Sequence, residues 1–246
     1  MFFVTASIGI LSTLILYRIP VCSTQNVCEK SETKLPFWNH LAKPWKDSWN
    51  LLRERSNFAY FQIGFLLGGS ALMLIQTTLP IYLVDTLRLS YTEILMAIAV
   101  CKAVGYAISA PFWVKWFNKM DIFYFTACVT LVAGIYPILL LFATTNIAWL
   151  YIAFVVFGLM QAGSELSWHM SGPIFSKERD SSIYTSVNVL MVGIRGCIAP
   201  LLGSVIYSMS NSIVVLLMSS MICLIAAERL RHFSKLESEN LKPQKI

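Results

Sequence analysis

Residues 122–143 read IFYFTACVTLVAGIYPILLLFA, without one Asp, Glu, Lys or Arg. At about 1.5 Å per residue, a helix of this length crosses the roughly 30 Å hydrocarbon core of a bilayer. The apolar residues run continuously instead of alternating, which excludes the period-two strands of a membrane barrel. The stretch reads as a spanning helix, and its neighbours repeat the pattern. Apolar segments at about 2–17, 58–84, 92–114, 147–169, 183–208 and 211–227 bring the expected spans to seven. Connections such as Asp85 to Tyr91, Lys115 to Asp121 and Thr144 to Asn146 are short enough to make neighbouring spans antiparallel.

Composition agrees. Of 246 residues, 57% are hydrophobic and 13% charged, with mean hydropathy +0.65, where soluble domains run about 45–50% and 25%. A soluble domain, a disordered chain and a secreted disulfide scaffold are excluded. The expected fold class is all-α, a polytopic membrane bundle. Cys101, Cys128, Cys197 and Cys223 fall in apolar stretches, where a thiol behaves as a small hydrophobe. Cys22 and Cys28, with His40 further on, do not have zinc-ligand spacing. No metal and no cofactor is expected.

The net charge of +6 resolves into a topology. Arg18, Lys30, Lys34, Lys43, Lys46, Arg53 and Arg55 fill the first loop. Lys115 and Lys119 follow in the third connection, Lys177 and Arg179 in the fifth. The tail carries Arg229, Arg231, Lys235, Lys242 and Lys245. The opposite side has only Arg88. Basic loops stay cytoplasmic, so the N-terminus is expected outside and the C-terminus inside. The charge points to anionic lipid and not to nucleic acid. The first basic residue follows the first apolar run instead of preceding it, so that run is read as a retained span and not a signal peptide.

The chain divides into a first span (1–17), a basic cytoplasmic loop (18–57), a six-helix bundle (58–227) and a charged tail (228–246). Within the loop, Pro44 is expected to open an interfacial helix with Trp45, Trp49 and Leu52 on one face; an ordinary solvated loop is the alternative. Trp113, Trp116, Trp149 and Trp168 are expected in the aromatic belts. The tail after Ala227 is expected to be disordered.

Charged residues inside spans are costly and mark function or packing. Lys102 is central in the third span, on a face with Gly105, Tyr106 and Ser109. Glu165 shares a face of the fifth with Gln161, Ser164 and Trp168. Arg195 lies one heptad after Asn188 in the sixth, and Gln62, Gly69 and Gln76 recur at seven-residue spacing in the second. The fourth and seventh spans carry no such groups and are expected to face lipid. A bundle around a water-accessible cavity has this pattern. Two other readings stand beside it: Glu165 and Arg195 as a structural ion pair, and the glutamines as helix–helix glue. His169, at a span end, reads as interfacial. There is no H-E-x-x-H, G-x-S-x-G or Walker sequence, so no catalytic residue is assigned and an enzyme is not expected.

The order of one span, a basic loop and six further spans resembles the C-terminal half of a major facilitator superfamily transporter with its preceding sixth helix. So do Gly163-Ser164-Glu165-Leu166, Phe175-Ser176-Lys177-Glu178-Arg179, Gly193-Ile194-Arg195-Gly196 and Ala199-Pro200-Leu201-Leu202-Gly203. The connection Ala110 to Lys119 is placed where that half carries a copy of the G-x-x-x-D-[RK]-x-G-[RK]-[RK] loop. Lys115 and Lys119 keep two basic positions, while Ala110, Val114 and Phe117 replace both glycines and the Asp. The resemblance implies secondary transport of a small solute across the bacterial inner membrane, with the second, third, fifth and sixth spans lining the pathway. Lys102, Tyr106, Gln161, Glu165, Asn188 and Arg195 would form one wall, favouring an anionic or zwitterionic solute. An opposing N-terminal half or a second copy would complete it, and the chain reads as the later part of a longer one. A non-transporting remnant or assembly partner, and a small channel, are the alternatives.

Overall fold

The computed structural model describes residues 37–176 and 181–240. The expected first span, Cys22, Cys28, Lys177, Arg179, Lys242 and Lys245 lie outside them. The chain divides into two compact units, Met1–Leu41 and Ala42–Ile246. Of the first, only the start of one helix is described; the six membrane-length helices among the described residues lie in the second.

The described residues form α1 (Phe37–Glu54), α2 (Ser56–Thr86), α3 (Tyr91–Phe117), α4 (Ile122–Phe142), α5 (Ala148–Ser176), α6 (Ser181–Met209) and α7 (Ser212–Asn240), with no strand among them. Helices α2 to α7 are each long and apolar enough to cross a membrane. The protein is therefore an integral multi-pass helical bundle. Short connections end in residues that satisfy the next helix's free N–H groups. Ser90 forms a capping box with Glu93, Asp121 accepts from the Phe123 N–H at 3.0 Å, and Asn146 from that of Ala148 at 2.8 Å. Asn211 accepts from the Val214 N–H at 3.0 Å.

Packing does not follow chain order. Helix α2 packs on α6 and α7, α3 on α5, and α4 on α5 and α7, with a lesser contact of α5 with α6. Exchanging α2 with α5, α3 with α6 and α4 with α7 maps the principal pairs onto themselves. Two three-helix repeats of opposite direction thus build the unit, an arrangement found in transporter folds. Helix backbones meet closely at small residues. A methyl group on Gly105 (α3) would overlap the Val155 carbonyl of α5, and one on Gly158 (α5) the Lys102 carbonyl of α3. Gly203 (α6) lies in the same way against the Leu74 carbonyl of α2. Close backbone approach at small side chains drives helix association where lipid removes the hydrophobic incentive.

Four expectations change. Pro44 lies inside α1, as its eighth residue, and does not open it; a proline there removes one backbone hydrogen bond, and the helix continues past it. Trp113 is 5% exposed, packs edge-on against Phe125 and donates Nε1–H to the Leu159 carbonyl at 2.8 Å. It is a core residue, seated in the space left by Gly163, and not part of an aromatic belt. Residues 228–240 continue α7 instead of being disordered, because Leu230 is buried beside Phe61, Phe123 and Ala127 and Phe233 stacks on Tyr60. Finally, α4 and α7 each have one face packed inside the unit. Thr126 and Thr130 on α4, and Ser219 and Ser220 on α7, are buried there. The exposed faces carry bulky apolar residues and no charge along the span, Leu131, Ile135 and Ile138 on α4 and Leu217, Met221 and Leu224 on α7.

Candidate functional site

The six candidate residues fall into two groups. On α3 and α5, the Lys102 ammonium lies 5.1 Å from the centroid of the Phe157 ring, a cation–π contact that strengthens where water is excluded. One turn further along α3, Tyr106 donates its hydroxyl to Glu165 at 2.6 Å. Gln161, one turn before Glu165, donates Nε2–H to the other carboxylate oxygen at 2.9 Å. The helix period puts 102 and 106, and 157, 161 and 165, on facing stripes. The Gly105–Gly158 crossing brings those stripes within reach. Lys102 also stands where α3 changes from a π-helical segment, Met96–Cys101, to an ordinary α-helix, a backbone irregularity common at functional sites.

On α2 and α6, Gln62 donates to Asn188, and Asn188 donates to Ser171 of α5 at 2.8 Å. All three are buried. Gln62 therefore works as helix–helix glue, while Gln76 is exposed. Two turns along α6, Arg195 donates Nη1–H to the Phe65 carbonyl at 3.2 Å and lies 5.1 Å from the Phe65 ring centroid. Its guanidinium rests on Gly69, where any Cβ would collide with it. Glu165 and Arg195 are thus held by separate partners. Lys115 and Lys119 are exposed at the end of α3 and in the connection after it, and His169 is exposed on α5.

Some participants were not visible as such. Phe65 and Phe157 read as bulk apolar residues, yet each covers a cation. A recess of about 150 Å³ beside Arg195 is floored by α4, through Thr126, Val129, Thr130 and Ala133, and walled by Ser164 and Ser167 of α5. The signal was present as the i, i+3, i+4, i+7 spacing of these small and polar residues within a span otherwise made of Phe, Leu and Ile.

Burial differs among the helices: the most apolar windows of α3 and α6 are only 17% and 11% buried, against 44% to 56% in the other four. Val104, Ile108 and Phe112 on α3, and Ile198, Leu201 and Val205 on α6, stand exposed. The profile of a family described as Major Facilitator Superfamily matches residues 1–171. No curated protein and no solved structure matches the chain.

Proposed function

From the premise that the chain belongs to the Major Facilitator Superfamily, a family of membrane transporters and not enzymes, we propose that α2, α3, α5 and α6 form one wall of a pathway for a small solute. The observation that carries this reading is the sorting of charge. Lys102, Glu165 and Arg195 all lie on those helices, while the exposed faces of α4 and α7 are bulky and apolar along their span. Two buried polar atoms, Gln161 Oε1 and Arg195 Nε, have no hydrogen-bond partner. Leaving such an atom unpaired costs about 1–3 kcal/mol, which a bound solute would recover. Two cations against one carboxylate favour an anionic or zwitterionic solute.

The six helices correspond in this reading to the C-terminal half of the transporter. The exposed faces of α3 and α6 are then covered by an opposing half, supplied by an N-terminal half or by a second copy. Arg53, Arg55, Lys115, Lys119, Arg229 and Arg231 gather at one end of the bundle, which is the cytoplasmic end by the distribution of basic residues.

Uptake into membrane vesicles of labelled acetate, lactate, alanine and phosphate, with and without the double variant Lys102→Ala/Arg195→Ala, tests the reading. Uptake of at least one probe is expected to fall at least tenfold at equal expression. Full uptake in the double variant would overturn the wall assignment.

A further inference from the structure

We propose that the recess between α2 and α5 binds a small organic monoanion, its carboxylate held by Arg195 and its short apolar body lying along α4. This rests on the transport reading for the ligand's role as cargo, whereas its test measures binding alone.

The recess exists because three helical stripes present small side chains to one another. On α4 the stripe is Thr126, Val129, Thr130 and Ala133; on α5 it includes Ser164 and Ser167; on α2, Gly68 and Gly69. The stripe on α4 spans seven residues, about 10 Å along the helix. A volume of about 150 Å³ is that of a cavity admitting a benzene-sized molecule, roughly six non-hydrogen atoms.

The two ends of the recess differ. One end has Arg195, Ser167 and Thr126; the other has Leu72, Ala133 and Met160. At the polar end, both threonine hydroxyls are already committed. Thr130 donates to the Thr126 carbonyl at 2.8 Å, and the Thr126 hydroxyl pairs with Ser167 at 3.1 Å. Arg195 spends one N–H on Phe65. Its Nε–H is buried and has no partner. A guanidinium in a span, with no carboxylate paired to it among the described residues, lacks its countercharge. A carboxylate accepting from the guanidinium would supply that charge. Lys102 is occupied on the α3 side of α5, beneath Phe157, so a single cation serves the recess and a monoanion matches it. The apolar end then selects an aliphatic body of three or so carbons over a bare inorganic ion.

Butyrate, with six non-hydrogen atoms, is the probe. The full chain is purified in detergent, and its thermal midpoint is followed against sodium butyrate at constant ionic strength, with gluconate as the balancing anion. The neutral isostere butyramide, succinate and chloride are compared in the same way. Butyrate is expected to raise the midpoint saturably and the other three to leave it at the gluconate value. The effect is expected to vanish in Arg195→Met and to need about tenfold more butyrate in Ser167→Ala, which removes one hydroxyl and keeps the charge. Should Arg195→Met fail to fold, Ser167→Ala decides. No shift with butyrate, an equal shift with chloride, or an unchanged response in Ser167→Ala overturns the proposal. Its failure with vesicle uptake intact leaves the transport reading standing, and butyrate binding without uptake of any probe overturns that reading alone.

Discussion

Tyr106 on α3 and Glu165 on α5 share a hydrogen bond of 2.6 Å, made by helices whose backbones touch at Gly105, beside Tyr106, and Gly158, two turns before Glu165. The carboxylate also accepts from Gln161, so both of its oxygens are engaged within the protein. Glu165→Leu would leave two donors facing an apolar side chain, whereas Glu165→Gln keeps an acceptor for Tyr106. The loss for Glu165→Leu is expected to exceed that for Tyr106→Phe, itself about 1 kcal/mol. Thermal unfolding of the purified variants in detergent measures the order, and the reverse order would contradict this geometry.

The close helix crossing makes a second prediction with opposite signs at different glycines. Gly105→Ala forces α3 and α5 apart, because the added methyl meets backbone. A cost of about 1–3 kcal/mol is expected, typical of overpacking. Gly193 and Gly196 on α6 have nothing within 4 Å of an added Cβ. Alanine at either position is expected to raise the stability of the isolated chain by about 0.5–1 kcal/mol through helix propensity. Equal effects at Gly105 and Gly193 would show that the crossing is not close.

Gln62 and Asn188 couple α2 to α6 at a buried site. Removing one partner strands the other. Gln62→Leu and Asn188→Leu are each expected to cost about 1–3 kcal/mol. Their double variant is expected to cost less than the sum of the two, and the double-mutant cycle reads that difference directly. Strict additivity would mean that the two side chains do not meet.

The last turns of α7 are held by Leu230, which is fully buried. Leu230→Ala is expected to destabilise by about 2–5 kcal/mol, as large-to-small changes in cores do. Glu228→Ala, two residues away and exposed, is expected to change stability by less than about 0.5 kcal/mol. Denaturation midpoints of the two variants check the contrast.

Span positions were legible because a continuous apolar run has one physical explanation at this length. The caps at Ser90, Asp121, Asn146 and Asn211 were not read from the sequence, although Ser, Asp and Asn are the residue types that helix starts favour. The inner polarity of α4 was not legible. Thr126 and Thr130 look innocuous in an uncharged span until packing turns them toward Ser167 and Arg195. The end of α7 was misjudged because Glu228, Arg229 and Arg231 dominate its local composition, while the apolar stripe Ala226, Ala227, Leu230 and Phe233 continues beneath them. The charged candidate residues stand out in the sequence by their cost in lipid. Their pairing does not, since which of Glu165, Arg195 and Lys102 meet depends on crossings set by distant glycines. Covering aromatics such as Phe65 and Phe157 carry no sequence mark at all among so many.

The central claim, that α2, α3, α5 and α6 line a water-accessible pathway while the outer faces of α4 and α7 meet lipid, is tested most directly by thiol accessibility. Single cysteines at 73, 102, 161 and 164 on the wall, and at 131, 135, 217 and 221 on the outer faces, are placed in a cysteine-free chain in native membranes. A charged, membrane-impermeant maleimide is then applied from each side. Labelling is predicted at the four wall positions and not at the four outer ones. Labelling of positions 131 and 217 as fast as 102 and 161, or no labelling at any wall position, would contradict the account.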